Sequence, residues 1–243
     1  MKQSYINCLK KLREFRKNLK VDKDVKRGKL YFTWIKDKTQ KIANEKDENY
    51  IYKNIVKYSL HNFKIDDFNY KKANKALKRV ISNNYIVKKN YHIFNNPNIS
   101  FDDTMLIMRK FLLKRGNVVW IDFGFNIGNE FGGMHPAVIL KNFDKDIFVL
   151  PVSSKRPIEY EKIEKEFEEG KISQEECIKK KDKITEIVQL DNIIGFKEMI
   201  RWANITRMRK VSILRLNFSG TIGRIDGKYI NKISSKISQE FGV

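Results

Sequence analysis

The stretch that decides the fold is Arg115-Gly-Asn-Val-Val-Trp-Ile-Asp-Phe-Gly-Phe-Asn-Ile-Gly-Asn-Glu-Phe-Gly-Gly-Met-His-Pro-Ala-Val-Ile-Leu-Lys-Asn-Phe-Asp-Lys-Asp-Ile-Phe-Val-Leu-Pro-Val-Ser-Ser-Lys-Arg-Pro157. Three apolar, β-branched runs, Val118 to Phe123, Pro136 to Lys141 and Ile147 to Val152, are separated by a glycine-rich polar loop and by the turn signal Asn-Phe-Asp-Lys-Asp. That arrangement predicts three successive antiparallel strands. Gly124, Gly128, Gly132 and Gly133 let the loop bend where side chains would clash, and Glu130, His135 and Pro136 fix what it presents at the mouth of the next strand.

Working outward toward the C-terminus, the charge-dense run Tyr160 to Lys183 has apolar positions Ile163, Phe167, Ile172 and Ile178 at loose helical spacing around Gly170. It predicts a helical hairpin inserted at about residues 158–183, a flap or a solvated excursion beside the strands. A strand over Ile184 to Leu190, a turn with a short strand over Phe196 to Ile200, a strand over Trp202 to Met208 and a turn or short helix over Val211 to Arg215 follow. A closing helix, Tyr229 to Glu240, carries Ile230, Ile233 and Ile237 on one face and starts after Asp226 or Gly227.

Toward the N-terminus the pattern changes. Tyr5, Cys8, Leu9, Leu12 and Phe15 recur at helical spacing, as do Ile51, Ile55, Val56 and Leu60, and Asn95-Asn96-Pro97-Asn98 breaks the chain before a last helix from Phe101 to Leu113. Residues 1–114 hold 28 Lys and Arg against 11 Asp and Glu, net +17, whereas residues 115–243 hold 22 against 18, net +4. The reading is α+β: a basic, all-α domain over 1–112, then a β domain over 113–243. A net charge of +21 in 243 residues favours a polyanionic partner, nucleic acid first; a proteome rich in Lys and Asn is the plain alternative. Tyr31, Phe32, Trp34, Tyr70, Tyr85, Tyr91 and Phe94, interleaved with lysines, suit either a single-strand platform or a core. Cys8 and Cys177 lack ligand spacing and read as reduced thiols, and no apolar run approaches a membrane span, so a cytoplasmic protein without membrane contact is expected.

Arg115-Gly116 before an aromatic-rich strand, then Gly-Asn-Glu-Phe-Gly-Gly-Met-His-Pro-Ala-Val-Ile-Leu, then Leu-Pro-Val-Ser-Ser, and later Val188-Gln-Leu-Asp-Asn-Ile193, together resemble the signature of the MazF/PemK family of toxin endoribonucleases over about residues 113–243. The resemblance implies a small, SH3-like antiparallel β-barrel with a C-terminal helix, as in MazF and CcdB. It further implies cleavage of single-stranded RNA at a short preferred sequence, leaving a 2′,3′-cyclic phosphate and a 5′-hydroxyl. An antitoxin, protein or RNA, encoded nearby and a homodimer are implied with it.

Such cleavage needs a base near the ribose 2′-hydroxyl, an acid at the leaving oxygen and donors on the phosphate. No His, Asp and Glu cluster stands at ligand spacing and no carboxylate pair sits in a strand context, so neither metal nor cofactor is expected. Of the three histidines, His61 and His92 lie in lysine-rich or loop surroundings; His135 edges the glycine-rich loop and is the expected acid/base. Many members of the family carry arginine there, which leaves the division of acid and base roles open. The family's hydroxyl after the third strand falls on Ser153, the second catalytic candidate, with Ser154 and Lys155 beside it as RNA contacts. Arg115, Asn129 and Asn192 are further RNA-contact candidates. Glu130, Gly132, Gly133 and Pro136 are expected to hold the loop's shape. Two other functions fit the charge: a gyrase-binding, CcdB-like toxin and a non-catalytic RNA-binding module.

Overall fold

The fold is seen in a computed structural model that describes residues 31–40, 85–88, 91–94, 101–125, 131–143 and 145–242, with a few isolated positions before residue 55. Residues 31–40 form a helix, α1. A two-stranded hairpin follows, β1 (Tyr85–Lys88) and β2 (Tyr91–Phe94), paired antiparallel from Tyr85↔Phe94 to Lys88↔Tyr91. This hairpin adds to the all-α reading of the N-terminal region: Tyr-Ile-Val and Tyr-His-Ile-Phe are aromatic and β-branched, a strand composition that helical spacing elsewhere had masked. Helix α1 is not among the helices expected before residue 100; of those, isolated positions within 7–14 and Asn54 are helical, and the rest lie outside the described residues.

Helix α2 (Phe101–Ile107) runs into a π-helical turn over Met108–Leu112 and delivers the chain to the sheet. There β3 (Asn117–Asp122), β4 (Met134–Asn142) and β5 (Asp146–Ser153) form the expected meander. The insertion is a helical hairpin, α3 (Ile158–Glu168) and α4 (Gln174–Asp182), as its periodicity predicted. Next come β6 (Ile187–Leu190), β7 (Arg201–Asn204), β8 (Arg209–Ser212) and β9 (Gly223–Arg224), closed by α5 (Gly227–Phe241). The seven strands curl in the order β6-β7-β5-β4-β3-β9, with β8 pairing the other end of β5 from β7.

Alternation along the strands gives this half-barrel two buried faces. Val119, Ile121, Ala137, Ile139, Ile147 and Val149 face Met105, Met108, Leu112 and Leu113 of α2 and its π-helical extension. Val118, Val138, Leu150 and Val152 face the other way, with Val188, Leu190 and Ala203, toward Tyr229 and Ile233 of α5. A bulge between Ile139 and Lys141 shifts the β4–β5 register and bends the sheet. Helix α5 starts where Asp226 caps it, its side chain accepting from the Lys228 N–H at 2.8 Å, and ends at left-handed Gly242.

Three of the expected C-terminal elements differ. Over Phe196–Ile200 there is no strand: an isolated bridge joins Ile194 to Arg224, and the Phe196 ring stacks on Trp120 instead, 5.7 Å between centroids. The strand expected to run from Trp202 to Met208 stops at Asn204, because the Asn204 side chain accepts from the Thr206 N–H at 2.9 Å and turns the chain into a 3-10 turn, Ile205–Arg207. Val211 is in strand β8; only Ile213–Arg215 is a turn, capped in the same way by Ser212.

Candidate active site

The glycine-rich loop between β3 and β4 is closed at its base by backbone bonds. The Phe123 N–H donates to the Gly133 carbonyl at 2.8 Å, the Gly133 N–H donates back to Gly124 at 2.6 Å, and the Gly124 N–H donates to Asp122 Oδ1 at 2.9 Å. Gly124 and Gly133 hold φ of +85° and +82°, a left-handed backbone that L side chains rarely adopt. Gly124 also admits a neighbour: a Cβ there would come within 2.6 Å of Trp34 Nε1, so the edge of the α1 indole rests on the loop's first glycine. Tyr31 and Trp34 pack on Phe125 next to it, with centroids 5.1 and 6.4 Å away.

Just past the loop, His135 pairs in register with Ile121, and Pro136 with Trp120. On its other side β4 follows β5 as far as Ala137↔Pro151, and no further pair forms. Pro136 and Pro151 have no N–H to give to a ladder, which explains why two central strands part there. From that point β5 continues beside β7, Val152 opposite Ala203 and Ser153 opposite Trp202. The parting opens a groove of about 270 Å³ lined by Phe131, Ser153, Lys155, Trp202, Asn204 and Arg207 among others. Pro157, Ile158 and Glu159, where the inserted hairpin begins, form the opposite rim.

His135 borders this groove through Phe131, whose ring packs on the imidazole at 4.3 Å between centroids. The imidazole is half-buried, and burial holds its pKa below the ordinary value, against a hydrogen bond to the Gly132 backbone that favours the protonated ring. It is therefore neutral at pH 7 and able to take a proton. Ser153 Oγ accepts from the Lys155 N–H at 3.0 Å, which leaves its own O–H to donate.

Cations are arranged unevenly around the groove. The Arg207 guanidinium lies over the Phe131 ring at 5.7 Å, and neither it nor Lys155 has a carboxylate partner among the described residues. Arg156 is committed: it pairs with Glu164 of α3 and covers the Trp202 ring at 5.8 Å. No three His, Cys, Asp or Glu side chains among the described residues come together in a way that would hold a metal ion.

The structure thus brings Ser153 and Lys155 into the groove lining, with His135 beside Phe131; Ser154, between them in sequence, is exposed and outside the lining. Gly132 and Gly133 stand at the loop base and Pro136 at the parting of the strands. Arg115 lies elsewhere, donating to Ser234 Oγ of α5 at 2.8 Å, and Asn192 is exposed beyond β6, away from the groove lining. Asn129 and Glu130 lie outside the described residues. Trp202, Asn204 and Arg207 escaped the sequence reading because β7 and its turn reach the groove only through tertiary pairing, and Phe131 was read only as part of the loop. The one available signal was Arg207, a charge in a stretch otherwise read as strand.

Residues 114–241, just over half of the chain, match the family described as PemK-like, MazF-like toxin of type II toxin-antitoxin system. Two solved structures are similar: MazF from Deinococcus radiodurans, at 16% identity, 54% of this chain, 96% of that one and a TM-score of 0.34, and MazE-MazF from the same organism, at 15%, 54%, 96% and 0.34. No curated protein matches. Among the described residues no helix is long and apolar enough to cross a membrane. With the glycine-closed loop and the groove at the parted strands in the half covered by the match, the chain belongs to the PemK-like, MazF-like toxin family of type II toxin-antitoxin systems.

Proposed function

We propose that the protein is a metal-independent endoribonuclease that cleaves single-stranded RNA at the groove between β4 and β5. What supports this reading is a half-buried imidazole packed on Phe131 of the groove lining, the Ser153 hydroxyl in that lining with its own O–H left to donate, and Lys155 and Arg207 there without carboxylate partners among the described residues. His135 takes the proton of the ribose 2′-hydroxyl; the 2′-oxygen attacks phosphorus as the bond to the 5′-oxygen breaks, giving a 2′,3′-cyclic phosphate and a 5′-hydroxyl. Ser153 donates to a non-bridging oxygen, Arg207 and Lys155 neutralise the developing charge, and the leaving oxygen receives a proton from Lys155 or water. The partner expected of a type II toxin is a protein antitoxin, consistent with the MazE-MazF pairing named for the similar structure.

The test is incubation of the purified full chain with messenger RNA in excess chelator, followed by analysis of the fragment ends. Cyclic phosphate ends, lost in His135→Ala and strongly reduced in Ser153→Ala, are the expected result. Intact RNA with the wild-type protein, or cleavage unchanged in both variants, refutes the reading.

A further inference from the structure

Helix α1 lies outside the family match, which begins at residue 114, yet it touches the loop that presents His135. Residues 124–133 hold four glycines, Gly124, Gly128, Gly132 and Gly133. Glycine loses more conformational freedom on folding than any other residue, so such a segment needs support beyond its own backbone bonds.

That support meets the loop at its first glycine. A Cβ added at Gly124 would lie 2.6 Å from Trp34 Nε1 and 3.4 Å from Arg215 Nη1, so the indole edge and the guanidinium fill the space a side chain would take. Arg215 is fixed by its bond to the Asp122 carbonyl at 3.0 Å. The indole is fixed by Tyr31, one turn back on the same face of α1 with ring centroids 6.0 Å apart, and by Lys38, whose ammonium stands 4.9 Å from the ring centroid. Both α1 rings pack on Phe125. From Gly124 the path to the imidazole is short. Its carbonyl accepts the Gly133 N–H at 2.6 Å, the Gly133 carbonyl accepts the Phe123 N–H at 2.8 Å, and His135 follows two residues on, paired with Ile121. Phe123 meets Phe131 edge to face at 5.4 Å, and Phe131 packs on the imidazole.

We infer that Trp34 is a positioning residue for His135: by filling the space beside Gly124 it fixes the base of the glycine-rich loop and, through the Gly124–Gly133 bond, the placement of the imidazole. Trp34 does not line the groove, so it acts on the rate at which bound RNA reacts and not on RNA binding. The inference rests on the ribonuclease reading for its kinetic readout, whereas the contact and its effect on the ring are testable without RNA. It gives the N-terminal region a part in the chemistry of the half that the family match covers.

The full chain carrying Trp34→Ala is the first test. Its kcat for RNA should fall by about 10- to 100-fold with KM unchanged, the cost of a misplaced catalytic group. Trp34→Phe, which keeps a ring against the loop, should recover most of the rate. In NMR spectra without RNA, the imidazole signals of His135, identified by their absence in His135→Ala, should move in Trp34→Ala toward the value of an unstructured chain. Gly124→Ala, which drives the indole away from the opposite partner, should move them the same way. The contact itself is read by a double-mutant cycle: Gly124→Ala should lower Tm by about 2–4 °C less in the Trp34→Ala background than alone, because the added Cβ then meets no indole. Equal Tm losses in the two backgrounds, or His135 signals that neither variant moves, overturn the inference whether or not RNA is cut. Cleavage by Trp34→Ala at the wild-type kcat overturns it and leaves the ribonuclease standing. Moved signals in a protein that cuts no RNA sink the ribonuclease and leave the positioning.

Discussion

One wall of the groove is the end of a sheet. Ser153, Trp202 and Asn204 project from strands whose alternate residues, Val152 and Ala203, are fully buried against α5, so each groove side chain is fixed by a neighbour in the core. The facing wall begins at Pro157, where α3 has no side-chain cap, and exposes Ile158 to 56%. Tyr160 of α3 anchors it by packing with Ile187 and Trp202, and the rest is tied by charges: Glu164 takes both Arg156 and Lys181, and Glu166 takes Lys180 at 2.6 Å. Burial holds groups to fractions of an ångström, and partly exposed ion pairs do not. The difference leaves the groove side chains of the sheet more firmly set than the part of the helical wall beyond Tyr160.

The sharpest way to break this comparison is His135→Ala. Removing a positioned acid/base should lower kcat/KM for RNA by about 10²- to 10⁴-fold, with the circular dichroism spectrum unchanged. The wild-type pH profile checks the same group. Because burial lowers its pKa, the neutral ring should persist below the usual imidazole range, and activity should fall only on further acidification. Stability follows the same sign: the unfolded chain binds the proton more readily. The contribution of His135 is therefore complete above the ordinary imidazole value of about 6.5 and is lost as pH falls from there toward the folded value. A profile that declines on going from pH 6 to pH 8 refutes His135 as the base.

Next in size is Leu150→Ala, one residue from Pro151 and fully buried between the sheet and α5. A core truncation of this kind should cost about 2–5 kcal/mol in denaturant unfolding. Activity per folded molecule should fall too, because the cavity lies behind the strand that carries Ser153. If stability falls and the folded fraction keeps full activity, the core does not set the groove's geometry.

Much of this wall was legible in advance because local chemistry and tertiary structure agree. Alternation in Val118 to Phe123 and Ile147 to Val152 names both buried faces, and the turn around Phe143 sets the pairing: the Phe143 N–H donates to the Asp146 carbonyl at 2.8 Å. His135 could be singled out at the edge of a glycine loop, and Ser153 only through the resemblance, because the family's hydroxyl after the third strand falls on it. Asn204 and Arg207 could not, since what puts them in the groove is the pairing of β7 with β5 across the whole inserted hairpin. The hairpin's own helices were visible and a flap was one of the two readings of them; the choice against a solvated excursion was not, because their charged faces read as solvated whichever way they point. Likewise nothing in Tyr31 or Trp34 as letters says that they will rest on Gly124 and Phe125, more than 80 residues away.

Gly133→Ala sharpens the comparison at the loop. At φ +82° a Cβ costs about 1–2 kcal/mol, and space is not the reason: the nearest heavy atom to the added Cβ is His135 Nε2, at 4.0 Å. Thermal unfolding should register that modest loss. RNA cleavage should fall by more than the loss explains, because a strained Gly133 disturbs both backbone bonds that close the loop and the histidine two residues on.

The smallest effect belongs to the helical wall. Glu164→Ala removes the partner of Arg156 and of Lys181 together, yet both pairs are partly open to solvent, with Glu164 itself 24% exposed. The expected loss is about 1 kcal/mol or less, and it should shrink further in high salt. Arg156, released from its carboxylate, adds a free cation to the groove rim, so RNA affinity at low salt should rise slightly while kcat for bound RNA stays the same. A loss of several kcal/mol, or a drop in kcat, would mean that α3 is as firmly set as the strands, and the division of labour between the two walls would fail.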